Sequence, residues 1–136
     1  MAFDEIQTGC VIGYQYLWKR EALSGQLEGS KRRPVAVAFR VAGKQADTLY
    51  LLPITTKQPD PSTLSIEVPQ IEKRRAGLDL DIRQWIIVQE FNVDLIPGSF
   101  VLEPHAKIGE FSKAFFRSVL LFWKQNYSRS QITKRL

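Results

Sequence analysis

A small, mostly β domain finished by one helix is the fold this sequence predicts, and three observations predict it. Short aromatic and β-branched segments recur between polar turns through most of the chain. After Gly109 the apolar spacing changes from two to about 3.6. The 136 residues amount to a single domain spanning 1–136, since domains most often hold about 100–150. Strands first and a helix last, in so short a chain, suggest a strongly bent sheet or barrel.

The elements follow in order. Val11 to Trp18 alternates aromatic and aliphatic residues and reads as a strand, with Tyr14 and Tyr16 assigned to the core and Trp18 to core or ligand. Residues 19–34 form a long polar loop ending at Pro34, and a loop longer than about 12 residues in a small domain is usually functional or disordered. Residues 35–41 and 48–54 read as two further strands, the second marked at its end or at an edge by Pro53. Ser65 to Val68 is a short strand stopped by Pro69. Residues 70–76 fit one helical turn, with Lys73, Arg74 and Arg75 on a solvated face or tracking a nucleic-acid backbone. Trp85 to Phe91 is a strand with an apolar centre, and Pro97-Gly98 a turn. Phe111, Phe115, Val119 and Phe122 then line one face of a helix capped by Ser112. Residues 126–136 read as a basic tail, and Trp123 and Tyr127 as core or as a surface for a second subunit or a partner segment.

Composition removes several function classes. One cysteine, Cys10, permits no disulfide within the chain, and one histidine, His105, permits no site that needs two. Phosphate-loop, dinucleotide-binding, nucleophile-elbow and zinc signatures are missing, so neither a metal nor an organic cofactor is expected. His105 reads as a surface-loop residue. The first residues carry an acidic pair where a signal peptide carries positive charge, and no apolar run approaches the ~20 residues of a membrane span, so a cytoplasmic protein is expected. Nineteen Lys and Arg against fourteen Asp and Glu leave a net charge of +5, which suits a polyanionic partner.

Three segments remain once the core is set aside: residues 28–34, 52–56 and 88–94. The first, Glu-Gly-Ser-Lys-Arg-Arg-Pro, is either a solvated loop entering a strand or half of a phosphate site. An arginine at a strand entrance has a short tether, and its planar fork matches two phosphate oxygens. Thr55, at a neighbouring strand end, is placed to share that phosphate, and Glu28 to supply a base.

Gly9 with Val11 and Ile12, then Arg-Arg-Pro-Val-Ala-Val at 32–37, then Leu-Pro-Ile-Thr-Thr at 52–56, resemble the MazF/PemK toxin family in order and spacing. The resemblance covers roughly residues 8–122 and includes the terminal amphipathic helix. It implies an SH3-like β-barrel with a C-terminal helix, a homodimer, and the toxin of a type II toxin–antitoxin pair. It also implies metal-independent cleavage of single-stranded RNA and silencing by a cognate acidic antitoxin. Arg33 and Thr55 match catalytic positions of the family, and Glu28 has the spacing of an acidic residue active in some members.

Such cleavage uses the neighbouring 2′-hydroxyl as nucleophile, so it needs a base, a cation for the phosphorane charge and a proton for the leaving oxygen. Glu28 is the expected base, Arg33 the electrostatic stabiliser and Thr55 a positioning donor. Lys31, Arg32, Thr56, Gln89, Trp18, Lys19 and Arg20 are the expected RNA contacts. Two departures stand out. Val88 replaces an aspartate common in the family before Gln89, and Phe91 stands where a basic residue is usual. Those departures keep open a non-catalytic nucleic-acid binder, or an inhibitor of a protein target like the related CcdB toxins, on the same barrel.

Overall fold

The structure, a computed structural model, describes residues 3–27, 29, 31–99 and 101–135. Its strands are β1 (Cys10–Tyr14), β2 (Arg33–Val41), β3 (Asp47–Thr55), β4 (Ser65–Glu67), β5 (Trp85–Ile87), β6 (Glu90–Ile96), β7 (Lys107–Glu110) and β8 (Gln131–Lys134). Its helices are α1 (Lys19–Leu23), α2 (Gln70–Ala76) and α3 (Lys113–Gln125), with a short 3-10 turn at Tyr127–Arg129. The strands form one mainly antiparallel sheet in the order β4-β5-β3-β2-β1-β7, and β6 branches from β3 to carry β8. Only the β6–β8 ladder is parallel. Among the described residues no ladder joins β4 to β7, so the pairing is that of an open sheet.

The branch lies on β3. One of its edges pairs with β2 from Thr48 to Pro53. The other pairs with β6 through Asp47–Leu51 and with β5 through Ile54 and Thr55. The change of partner spans Leu52 and Pro53, where proline brings no N–H to a ladder. Of the two places the sequence allowed, strand end or edge, Pro53 takes the second: it sits inside the strand at an unpaired stretch of edge, where one neighbour hands over to the next.

Both faces of this sheet are buried, which explains the continuous apolar run of β2. Val35 and Val37 enter one core with Ile12, Tyr14, Leu49 and Leu51. Ala36 and Ala38 enter the other with Val11, Leu52, Ile54, Ile86 and the α3 residues Phe116, Val119 and Trp123. Alternation with period two divides the strand between the two layers.

Helix α3 begins where Ser112 predicts. The Ser112 hydroxyl oxygen accepts the Phe115 N–H at 3.2 Å. The Ser112 N–H and O–H both donate at 2.8 Å to the buried Glu72 carboxylate on α2. One acid thereby locks α2 to the start of α3. Helix α2 matches its predicted span, but its face is not wholly solvated. Lys73 is buried and its ammonium donates to the Leu80 and Ile82 carbonyls.

Other boundaries differ for identifiable reasons. The 85–91 strand is two strands, because at Val88 the backbone leaves the ladder: its N–H donates to the Leu64 carbonyl and its carbonyl accepts the Ser130 hydroxyl. The long 19–34 loop contains α1, and β2 already starts at Arg33. The basic tail contains β8, paired in register with Glu90–Val93. It ends on Arg135, whose guanidinium donates to the Gln15 carbonyl at 2.7 Å and lies 5.5 Å from the Tyr14 ring centre. His105 is exposed, as expected.

Replacing Glu72 by alanine strands both Ser112 donors. Hydrogen bonds to charged groups contribute about 1.5–3 kcal/mol each, so Glu72→Ala is expected to cost about 2–4 kcal/mol in urea unfolding, while exposed Lys124→Ala stays within about 0.5 kcal/mol.

Candidate functional site

The register of β2 on β3 brings the first and second of the singled-out segments together. Val35 faces Pro53 at the end of that ladder, and Arg33 and Thr55 stand two residues further along their strands. Arg33 also faces Tyr14 at the end of β1. The ends of three strands therefore converge, and a cleft of about 640 Å³ opens over them. Trp18, Arg20, Lys31, Arg33, Thr55, Thr56, Lys57, Gln58, Pro59, Asp60, Thr63, Ile87, Gln89 and Glu90 line it. Four of those side chains are cationic and two are carboxylates.

Trp18 organises the cationic wall. It is the residue before α1, where its N–H donates to the Glu21 carboxylate at 3.0 Å and so fixes the first turn. The guanidinium carbons of Arg20 and Arg33 lie 5.2 and 5.1 Å from its ring centre. The edge of the ring meets Tyr16, at 5.0 Å between centroids. Two guanidiniums and a tyrosine thus occupy the surroundings of an indole only 8% exposed. That arrangement holds two cations beside the ring and leaves little of the indole exposed at the cleft.

Arg33 is half-buried, and no carboxylate pairs with it among the described residues. Its Nε and the Trp18 Nε1 are buried and lack hydrogen-bond partners. Burial lowers the Arg33 pKa, with the nearby Glu21 charge opposing the shift. A buried donor without an acceptor costs about 1–3 kcal/mol. Two such donors on one wall, beside unpaired positive charge, mark a place that an anion would complete.

Thr55 complements it. Its hydroxyl oxygen accepts the Lys57 N–H at 3.1 Å, which orients the side chain and leaves the hydroxyl hydrogen to donate. Across the cleft, Glu90 Oε1 accepts the Lys19 N–H at 2.9 Å and the Tyr16 hydroxyl at 3.1 Å. Burial raises the Glu90 carboxyl above its ordinary value, partly countered by those two donors and by the charges of Arg20 and Lys19. The segment carrying Trp18 is itself pinned, because buried Asn92 accepts the Leu17 N–H at 2.9 Å and donates to the Leu17 carbonyl at 2.8 Å.

Of the residues singled out in the sequence, Arg33, Thr55, Lys31, Thr56, Gln89, Trp18 and Arg20 share this cleft. Gln89 also braces its floor, accepting the Leu64 N–H and donating to the Arg129 carbonyl. Arg32 does not line the cleft. It pairs with Glu103 at 2.6 Å, since successive residues of an extended chain leave on opposite sides. Lys19 does not line it either, and its ammonium donates to the Ile132 carbonyl on β8 at 2.6 Å. Glu28 lies outside the described residues. Lys57, Asp60 and Glu90 were not anticipated. Glu90 sits directly after Gln89, and only the pairing of its strand edge with the 16–19 segment reveals its place.

Among the described residues no three His, Cys, Asp or Glu side chains cluster as a metal-binding group, and no helix is long and apolar enough to cross a membrane. No family model matches the chain, and no curated protein matches it closely enough to report.

Because the buried Arg33 Nε finds no acceptor among the described residues, Arg33 contributes little to the fold. Arg33→Leu is expected to leave stability within about 1 kcal/mol of the wild type in urea unfolding, the lost cation–π contact being offset by the relief of a buried unpaired donor.

Proposed function

We propose that this chain is a MazF/PemK-like toxin of a type II toxin–antitoxin pair, a metal-independent endoribonuclease that cuts single-stranded RNA by 2′-hydroxyl attack. The observation that carries the reading is the convergence of Arg33 and Thr55 in one cationic cleft, with Arg33 lacking any carboxylate partner among the described residues. The proposal includes an SH3-like barrel closed from the observed sheet, a homodimer, a cytoplasmic site of action and neutralisation by an acidic antitoxin that competes for the same cations.

The chemistry follows from the groups present. A scissile phosphate seated on Arg33 receives two parallel hydrogen bonds from the guanidinium fork. As the 2′-oxygen attacks, charge builds on the phosphorane oxygens, and a preorganised guanidinium in a partly desolvated cleft stabilises that charge more than the ground state. The Thr55 hydroxyl donates to a neighbouring oxygen and fixes the in-line geometry. Arg20, Lys31 and Lys57 hold the flanking phosphates. DNA lacks the nucleophile and is bound without being cut.

The test is cleavage of a long single-stranded RNA in EDTA, with 5′-end mapping. Wild type is expected to cut at one short motif. Arg33→Ala is expected to lose about 10²–10³-fold in rate while keeping its fold by circular dichroism. No cutting by folded wild type overturns the ribonuclease reading. RNA binding that weakens evenly for every Lys or Arg removed, without cleavage, supports the non-catalytic binder instead.

A second reading rests on a separate surface. Phe39, Leu121 and Tyr127 are exposed beside Leu120 and Trp123 in an apolar groove of about 480 Å³, edged by Arg117 and Lys124. Exposed apolar patches of this kind serve protein contacts, which favours a CcdB-like inhibitor of a protein target. On that reading Leu121→Glu abolishes growth inhibition and Arg33→Ala leaves it unchanged. The ribonuclease reading requires Arg33→Ala to abolish it.

A further inference from the structure

We propose that Glu90 is the general base of this cleft, its carboxylate taking the 2′-hydroxyl proton of a strand whose phosphate is seated on Arg33. The assignment rests on the ribonuclease reading above and supplies the proton acceptor that reading needs.

A base must be ionised, aimed and free to accept. Among the described residues the cleft offers two carboxylates, Asp60 and Glu90. Asp60 is exposed on a loop, and no side-chain hydrogen bond holds its carboxylate among the described residues. Glu90 is half-buried at the start of β6, and both of its protein donors go to Oε1. One oxygen is anchored by the backbone of α1 and the Tyr16 hydroxyl. The other, Oε2, carries no protein hydrogen bond among the described residues and keeps its acceptor capacity for a ligand. This is the division of labour expected of a positioned base: one atom fixes direction and the other takes the proton.

The surroundings tune it. Lys19 and Arg20 of α1 face it with positive charge, and the Tyr16 hydroxyl donates to it. Arg33, Lys31 and Asp60 share the cleft, and β8 opposes it with the neutral Gln131. Burial nonetheless raises its carboxyl above the ordinary glutamate value, which makes it a stronger base than an exposed glutamate of about 4.3.

The step balances without any co-reactant but water. The 2′-O–H bond breaks and its proton passes to Glu90. The 2′-oxygen bonds to phosphorus, the P–O5′ bond breaks, and the 5′-oxygen takes a proton from water. The products are a 2′,3′-cyclic phosphate and a 5′-hydroxyl, and Glu90 returns its proton to solvent.

The experiment compares wild type, Glu90→Gln and Tyr16→Phe on one cleavable RNA strand across pH, with a 2′-deoxy strand of the same sequence as the uncleavable binding probe. Glutamine keeps an acceptor for the Lys19 N–H. Glu90→Gln is expected to lower kcat/KM by about 10²-fold or more and to abolish the acid limb of the profile, with affinity for the 2′-deoxy strand within about threefold of wild type. Tyr16→Phe removes a donor that favours the ionised carboxylate, so the acid limb is expected to move to higher pH. Cleavage by Glu90→Gln at near-wild-type rate, with the limb intact, overturns the assignment and leaves the ribonuclease reading standing. Should Glu90→Gln fail to fold, an unmoved limb in Tyr16→Phe overturns it. Absence of cleavage by folded wild type overturns both readings together.

Discussion

Strand β3 pairing with three neighbours is the constraint on which the cleft depends. A strand has two edges and ordinarily two neighbours. Here one edge is divided at Leu52–Pro53, so that β6 and β5 each take part of it. The division lets the sheet bend sharply while every ladder stays antiparallel around the branch. It also stops β3 and β2 at a common level, with Thr55 and Arg33 at their ends. β5 takes over that edge at Ile54 and Thr55, and the cleft opens at the strand ends beside it. The site is thus a consequence of where a proline denies a donor to a ladder.

The cleft wall would still be loose without a second device, a set of buried polar bonds joining distant parts of the chain. The Tyr14 hydroxyl donates to Asp94 at 2.6 Å, and the Ser99 hydroxyl donates to the same carboxylate oxygen at 2.6 Å. Asn92 holds Leu17 from both sides, and Glu90 holds Lys19 and Tyr16. Three residues of β6 spaced two apart, Glu90, Asn92 and Asp94, therefore stitch one face of that strand to the segment that carries Trp18. Arg135 completes the seam from the chain's last described residues, donating to the Gln15 carbonyl. Segments lacking regular pairing are usually the most mobile parts of a fold. Here residues 15–18 are held almost as a strand would be, by side chains in place of a ladder.

Much of this was legible in the sequence, and what was not has physical causes. The span of α2, the start of α3 at Ser112 and the core placement of Tyr14 and Tyr16 follow from local rules: a helix period, a capping hydroxyl, an alternating strand. Arg33 and Thr55 could be paired because each stands at a strand end near a proline, Arg33 directly before Pro34 and Thr55 two residues after Pro53. Three features depend on contacts far apart in the chain and leave no local trace. β8 pairs in parallel with β6, so a short polar-basic segment becomes a strand only by virtue of its neighbour's free edge. The break at Val88–Gln89 is set by Leu64 and Ser130, which are distant in sequence. Lys73 resembles a solvated residue until its ammonium meets two carbonyls of the 80–82 turn. Arg32 and Arg33, indistinguishable as letters, separate because adjacent side chains of an extended chain diverge.

The exchange of residues around Gln89 bears on where an acid can stand in such a cleft. Val88 and Phe91, which depart from the family pattern, are both buried in the core shared with α3. A carboxylate at Val88 would lie in a fully apolar setting and forfeit its hydration. Glu90, which lines the cleft, lessens that cost, because its Oε1 exchanges water for two hydrogen bonds. The cations opposite favour its ionised form, and its half-burial keeps it basic. A carboxylate one step past Gln89 thus keeps both solvation and nearby positive charge, while position 88 holds an aliphatic side chain packed in the core shared with α3.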